Sequence, residues 1–142
     1  MLRYLLDTNI VIYVLKRRPV EVLSTFNANA NANANAGRMA TSSITLAEHL
    51  HGAEKGSCVS ENLSAIEDFC SRLEVLPYGA KAAQHYDAIR AALEKICQPI
   101  GVNELHIAGH ARGEGLVLVT NNMSEFMRVP ALEGENWVHP SQ

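Results

Sequence analysis

The stretch Leu2-Arg3-Tyr4-Leu5-Leu6-Asp7-Thr8-Asn9-Ile10-Val11-Ile12-Tyr13-Val14-Leu15 changes character halfway along. A short apolar run breaks at Asp7-Thr8-Asn9, and a second apolar run continues into Lys16-Arg17-Arg18 before Pro19. The first run suits a strand, the polar break a turn, and the second run, closed by cations and a proline, a helix. The same alternation returns downstream. Met39 to Ser43 reads as a strand, and Thr45-Leu46-Ala47-Glu48 has the Thr-x-x-Glu spacing of a capping box for a helix towards Glu54. Ser60 is placed to cap a helix with Leu63, Ile66, Phe69, Cys70 and Leu73 on one face, and Glu74 to Leu76 follows as a short strand before Pro77. Tyr86, Ile89, Leu93 and Ile96 mark another helix, ended by Pro99 and Gly101. Asn103 is placed to cap a helix from Glu104 to Arg112 that Gly113 and Gly115 stop, and Leu116 to Val119 is a continuous apolar run suited to a strand buried on both faces. Short apolar strands alternating with helices predict an α/β fold: a three-layer α/β/α domain with a short parallel sheet flanked by helices.

At 142 residues, 47% hydrophobic and 19% charged, the chain suits one domain spanning residues 1–142 with a sizeable core. Val20 to Phe26 reads as the second helical piece of a hairpin. Residues 27–36 then read Asn-Ala five times, with no apolar side chain larger than a methyl, so this tract is expected to be a loop insertion outside the core. Cys58, Cys70 and Cys97 are odd in number and lack a CxxC pair, which argues against both a disulfide framework and zinc and for a reducing, cytoplasmic setting. Asp7 and Asn9 interrupt the N-terminal apolar residues and leave a longest early run of six, so neither a signal peptide nor a membrane span is expected. A net charge of −3 argues against general coating of nucleic acid but permits a local basic patch. No Gly-rich phosphate loop is present, which removes the usual warrant for nucleotide binding.

The polar residues follow the predicted strands. Asp7 ends the first, Glu48 lies in the first turn of the helix after the second, Glu104 opens the helix before the Leu116 run, and Asn122 follows that run. In a parallel sheet these positions share the carboxyl edge, where ligand sites of open α/β sheets form. Three carboxylates about 5 Å apart would repel by roughly 3 kcal/mol per pair at an effective dielectric of about 20, so such a cluster needs a cation or a proton. Oxygen-only ligation suits Mg²⁺ or Mn²⁺ rather than zinc and points to water attacking a phosphodiester. Each acid also has a purely structural reading: Asp7 as a helix cap, Glu48 as half of the capping box, Glu104 as a favourable charge at a helix N-terminus. Only the joint arrangement is informative. His106 and His110 are four apart on one helix but lack an HExxH context, so a structural role is favoured for both. His49 and His51 point different ways. Lys16, Arg17 and Arg18 are candidate RNA contacts, although a solvated helix end explains them equally well.

Leu5-Leu6-Asp7-Thr8-Asn9, Ser43-Ile44-Thr45-Leu46-Ala47-Glu48 with Gly52 beyond it, Ile107-Ala108-Gly109-His110-Ala111 and Leu118-Val119-Thr120-Asn121-Asn122 together resemble the VapC-type toxins of the PIN-domain family. The tail through Phe126, Pro130 and Trp137 is similar to the enteric and plasmid-borne members. The resemblance implies a Mg²⁺- or Mn²⁺-dependent endoribonuclease that works as a homodimer and is held inactive by a VapB-type antitoxin. By motif position it assigns metal-binding roles to Asp7, Glu48 and Glu104, adds Asn122 to the catalytic set, and gives Thr8, Asn9 and Thr120 supporting places. It suggests the anticodon loop of initiator tRNA as the target. Glu104 departs from the family's usual Asp by one methylene, which moves a carboxylate by over ~1 Å and is enough to weaken catalysis. A weakened domain that mainly binds its antitoxin is therefore the alternative expectation.

Overall fold

A computed structural model describes residues 2–31 and 38–138. Its five strands are β1 (Tyr4–Leu6), β2 (Met39–Ser42), β3 (Glu74–Leu76), β4 (Val117–Val119) and β5 (Gly134–Glu135). They form one sheet in the order β3-β2-β1-β4-β5, with every pair parallel. The helices are α1 (Thr8–Lys16), α2 (Val20–Asn31), α3 (Ser43–Lys55), α4 (Val59–Cys70), α5 (Ala80–Lys95), α6 (Val102–Glu114) and α7 (Met123–Phe126).

Neighbouring residues of β1 bury on opposite faces, as the two-residue period of a strand requires. Leu5 joins Ala40 and Leu118 against Ile89 and Leu93 of α5 and Leu105, Ile107, Ala108 and Ala111 of α6. Leu6 joins Met39 and Val119 against Ile10, Val11 and Val14 of α1, Val22 and Phe26 of α2 and Phe69 of α4. The three-layer α/β/α arrangement follows, as expected. The chain leaves β1 in both directions across the sheet, to β2 on one side and β4 on the other, so the switch in strand order lies beside the carboxyl end of β1. Asp7 is the next residue.

Several local expectations are corrected. The N-cap of α3 is Ser42, whose Oγ accepts the Ile44 N–H at 3.1 Å, and not Thr45. Thr45 is fully buried one turn inside the helix, with its hydroxyl 3.3 Å from that of Thr8. Ser60 lies within α4, which starts after Cys58 without a side-chain cap, and Asn103 lies within α6, which starts after Gly101. Gly113 is helical, and α6 stops only at Gly115, where φ is +68° and a side chain would be strained. The Asn-Ala tract is not loop from its first residue, since α2 runs on to Asn31, with Asn29 Nδ2 donating to the Thr25 carbonyl at 2.9 Å. The rest of the loop expectation, residues 32–36, lies outside the described residues. α7 and β5, of four and two residues, are too short to leave a periodic signal.

Gly109 sets the spacing of α5 and α6. A Cβ there would come within 2.8 Å of the Tyr86 nitrogen and 3.0 Å of the Ala82 carbonyl oxygen, both backbone atoms of α5. Gly109→Ala gains about 1 kcal/mol of helix propensity but forces two packed helices apart. A net loss of about 2 kcal/mol, or roughly 6–8 °C in thermal midpoint, is expected by circular dichroism; an unchanged midpoint would show that α5 moves freely.

Candidate active site

Asp7, Glu48, Glu104 and Asn122 line one cleft of about 180 Å³, together with Thr8, Asn9, Asn103, Ile107 and Phe126. The sheet explains the convergence, since Asp7 follows β1, Asn122 follows β4, Glu48 lies on the helix after β2, and α6 leads into β4.

Asp7 does two jobs. Its backbone N–H extends the β1–β4 ladder to the Val119 carbonyl at 3.0 Å, and its Oδ1 accepts the Ile10 N–H at 2.9 Å as the N-cap of α1. The structural reading of Asp7 as a cap is therefore correct, yet the same carboxylate faces the cleft. It is only 4% exposed. Burial pushes its carboxyl up to about 6, hydrogen bonds from the Thr120 hydroxyl and the Ile10 and Asn9 amides offset part of that, and the charge of Glu104 adds to it.

Glu48 lies in the second turn of α3 and not the first, because the helix starts at Ser43, ahead of Thr45. With Ser42 as the cap, no capping box engages it. Its carboxyl is raised first by desolvation and then by the charge of Glu104, while bonds from the Thr8 hydroxyl and Asn103 act in the opposite direction. Thr8, whose hydroxyl is 3.3 Å from that of Thr45 and acts on the Glu48 carboxyl, thus links α1 to α3 beside the cleft.

Glu104 is the third residue of α6, where a carboxylate complements the helix dipole. Its side chain is folded back over Gly101, and a Cβ at that glycine would collide with Glu104 Oε2. Glu104 is close enough to act on both Asp7 and Glu48. Among the described residues, however, no three His, Cys, Asp or Glu side chains already form a closed metal cluster.

Asn122 is held by its N–H to Thr120 Oγ1 at 2.9 Å, and its Nδ2 donates to Glu125. Glu125 is absent from the sequence expectations. The Asn122-x-x-Glu125 spacing at the start of α7 is the signal that would have found it. Asn121 turns away to donate to the Tyr13 hydroxyl at 2.7 Å.

The basic group is not part of the cleft. Lys16 is in the last turn of α1 and Arg17 is its C-cap, so the nine-residue helix puts about 13 Å between them and Asp7. Lys16 borders a groove with Ile12, His49 and Ile66, and Arg17 borders another with Phe26, Asp68 and Arg72. His106 and His110 do not line the cleft either, and both make internal contacts that fit their structural reading.

The side-chain donors to a metal in the cleft are all oxygens: the carboxylates of Asp7, Glu48 and Glu104, the amides of Asn9, Asn103 and Asn122, and the Thr8 hydroxyl. Their hardness matches Mg²⁺ or Mn²⁺ and not zinc, and the desolvated charge on Asp7 is one that a cation would relieve.

A family model described as the PIN domain matches residues 4–132. The chain belongs to the PIN-domain family. This PIN domain is 56% identical over 138 residues to "Ribonuclease VapC2" of Haemophilus influenzae, covering 97% of this chain and all of that protein. It is 47% identical over 137 residues to "tRNA(fMet)-specific endonuclease VapC" of Shigella flexneri, covering 96% and 99% of the two chains. Among solved structures it is similar to a chain of DNA-bound VapBC from Salmonella typhimurium, with a TM-score of 0.88 at 45% identity, covering 97% of this chain and all of that one. VapBC2 from Rickettsia felis, bound to a promoter DNA fragment, gives 0.87 at 39% identity, covering 96% of this PIN domain and all of its counterpart. Among the described residues no helix is long and apolar enough to cross a membrane.

Proposed function

We propose that this PIN domain is the toxin of a toxin–antitoxin pair and hydrolyses RNA phosphodiester bonds as a Mg²⁺- or Mn²⁺-dependent endoribonuclease. The single observation that carries the reading is the convergence of Asp7, Glu48 and Glu104 on one cleft at the sheet's carboxyl edge, close enough for Glu104 to act on the other two. In this reading Asp7, Glu48 and Glu104 would hold the ion, with Asn122 beside them. When bound, the ion would polarise the phosphate and make a water acidic enough to attack. The chain's own residues do the positioning. The N-cap bond fixes the Asp7 carboxylate, the Thr8 hydroxyl orients Glu48, and Thr120 steadies both Asp7 and Asn122.

The name of the Shigella relative supports tRNA, and initiator tRNA in particular, as the substrate. The VapBC complexes among the similar structures support a VapB-type antitoxin as partner, and a homodimer is the expected form of the free toxin. The test is to incubate purified protein with total tRNA and Mg²⁺ or Mn²⁺ and to map the new ends. One dominant, chelator-sensitive cut in the anticodon loop of initiator tRNA is expected, and absence of any metal-dependent cut would refute the reading.

The fold-back of Glu104 over Gly101 favours a second reading, a catalytically weakened domain that mainly binds its antitoxin. Glu104→Asp separates the two. Shortening the arm is expected to raise kcat by about tenfold without changing affinity for the antitoxin. An unchanged kcat would show that the longer side chain costs nothing.

A further inference from the structure

His110 is 1% exposed and lies in the middle of α6, six residues beyond Glu104; Ser42 is fully buried and lies six residues before Glu48. The His110 Nδ1 and Ser42 Oγ are 2.8 Å apart. Ser42 Oγ already accepts the Ile44 N–H as the cap of α3, and it keeps a proton and a second lone pair for its bond with Nδ1. Nε2 is sealed from solvent and makes no hydrogen bond among the described residues.

A buried imidazole with one nitrogen poorly satisfied costs stability that an apolar side chain would not. What it supplies in exchange is a direct tie between the N-cap of one acid-bearing helix and the body of the other. Tyr78 reinforces the tie. Its N–H donates to Ser43 Oγ at 3.0 Å, its hydroxyl is 2.7 Å from His106 Nδ1, and its ring meets that of His110 edge-on at 5.5 Å. The start of α3 is thereby joined to α6 by two polar routes.

We propose that His110 is a positioning residue: through Ser42 it sets the separation of Glu48 from Glu104 across the cleft. The role rests on the nuclease reading above only in its catalytic consequence; the geometric part stands without it. An arm that fixes two carboxylates to within about half an ångström decides how well they share one ion, and loss of comparable outer contacts in metal sites costs about 10–100-fold in affinity or activity.

The experiment compares His110→Leu, His110→Asn and Ser42→Gly in the full chain. Asn can present a polar atom near the position of Nδ1, and Gly is a competent N-cap that removes only the hydroxyl. His110→Leu and Ser42→Gly are expected to bind Mn²⁺ about tenfold more weakly by calorimetry and to lose about 10–100-fold in kcat with little change in KM for RNA. Combining them should be no worse than either alone, and His110→Asn should recover most of the loss. In the metal-free protein, amide resonances of residues 43–48 and 102–104 should shift in both deletion variants. Those shifts test the tie whether or not RNA is cut, so failure of the nuclease reading is separable from failure of this one. Unchanged resonances, or wild-type Mn²⁺ affinity in Ser42→Gly beside an active wild type, would overturn the proposal. Should His110→Leu not fold, Ser42→Gly and His110→Asn decide the matter by the same two measurements.

Discussion

Asp7→Asn is expected to leave a folded protein that cleaves RNA roughly 10³-fold more slowly or not at all. The asymmetry comes from the two roles of this side chain. As an N-cap, Asn is as good as Asp, and its Oδ1 can still accept the Ile10 N–H, so α1 keeps its start. As a charged donor in the cleft, Asn offers one neutral oxygen where Asp offers a carboxylate, and the transition state loses several kcal/mol of charge stabilisation, with about 4 kcal/mol corresponding to the predicted factor. Single-turnover cleavage of tRNA, run beside a circular dichroism melt, separates the roles. Equal cleavage by both proteins would remove Asp7 from the chemistry, and loss of the fold would mean that capping dominates.

The same substitution is expected to reverse the usual sense of a mutation's effect on stability. A carboxyl held near 6 in the folded state, against 3.8 ordinarily, binds its proton more tightly folded than unfolded. Below about pH 4 both states are protonated and the group is neutral to folding. As pH rises from about 4 to 6 the unfolded chain ionises first, and above about 6 the fold must carry a buried charge at a cost of about 3 kcal/mol. Metal-free wild type should therefore lose stability relative to Asp7→Asn across that window. By urea titration with chelator, the variant should be ahead by about 2–3 kcal/mol at pH 7.5 and level with wild type near pH 4. Adding Mn²⁺ at pH 7.5 should close the gap by stabilising wild type alone. A wild-type lead that grows with pH would contradict the desolvation of Asp7.

The alternation of strands and helices was legible because each strand is a short apolar run ended by polar residues, as at Leu6-Asp7 and Val119-Thr120. The cleft was legible for a related reason, since a parallel sheet brings every strand end to one edge, where Asp7 ends β1 and Glu48 and Glu104 lie near the starts of α3 and α6. Helix starts were less legible. Thr45, Ser60 and Asn103 are all residue types that cap helices, yet each lies inside one, because the strand or loop before it ends earlier than local chemistry alone requires. Ser42 was hidden in the strand reading although it is the true cap. The direction of the Glu104 arm and the Ser42–His110 tie are matters of tertiary contact, the latter between residues 68 apart in the chain, and no local pattern encodes them.

The outermost strands of the sheet are the three residues of β3 and the two of β5. A sheet margin normally presents a row of unpaired amides and carbonyls on which a foreign chain can add itself, and brevity is one way to blunt that hazard. Here both margins are too short to template such growth.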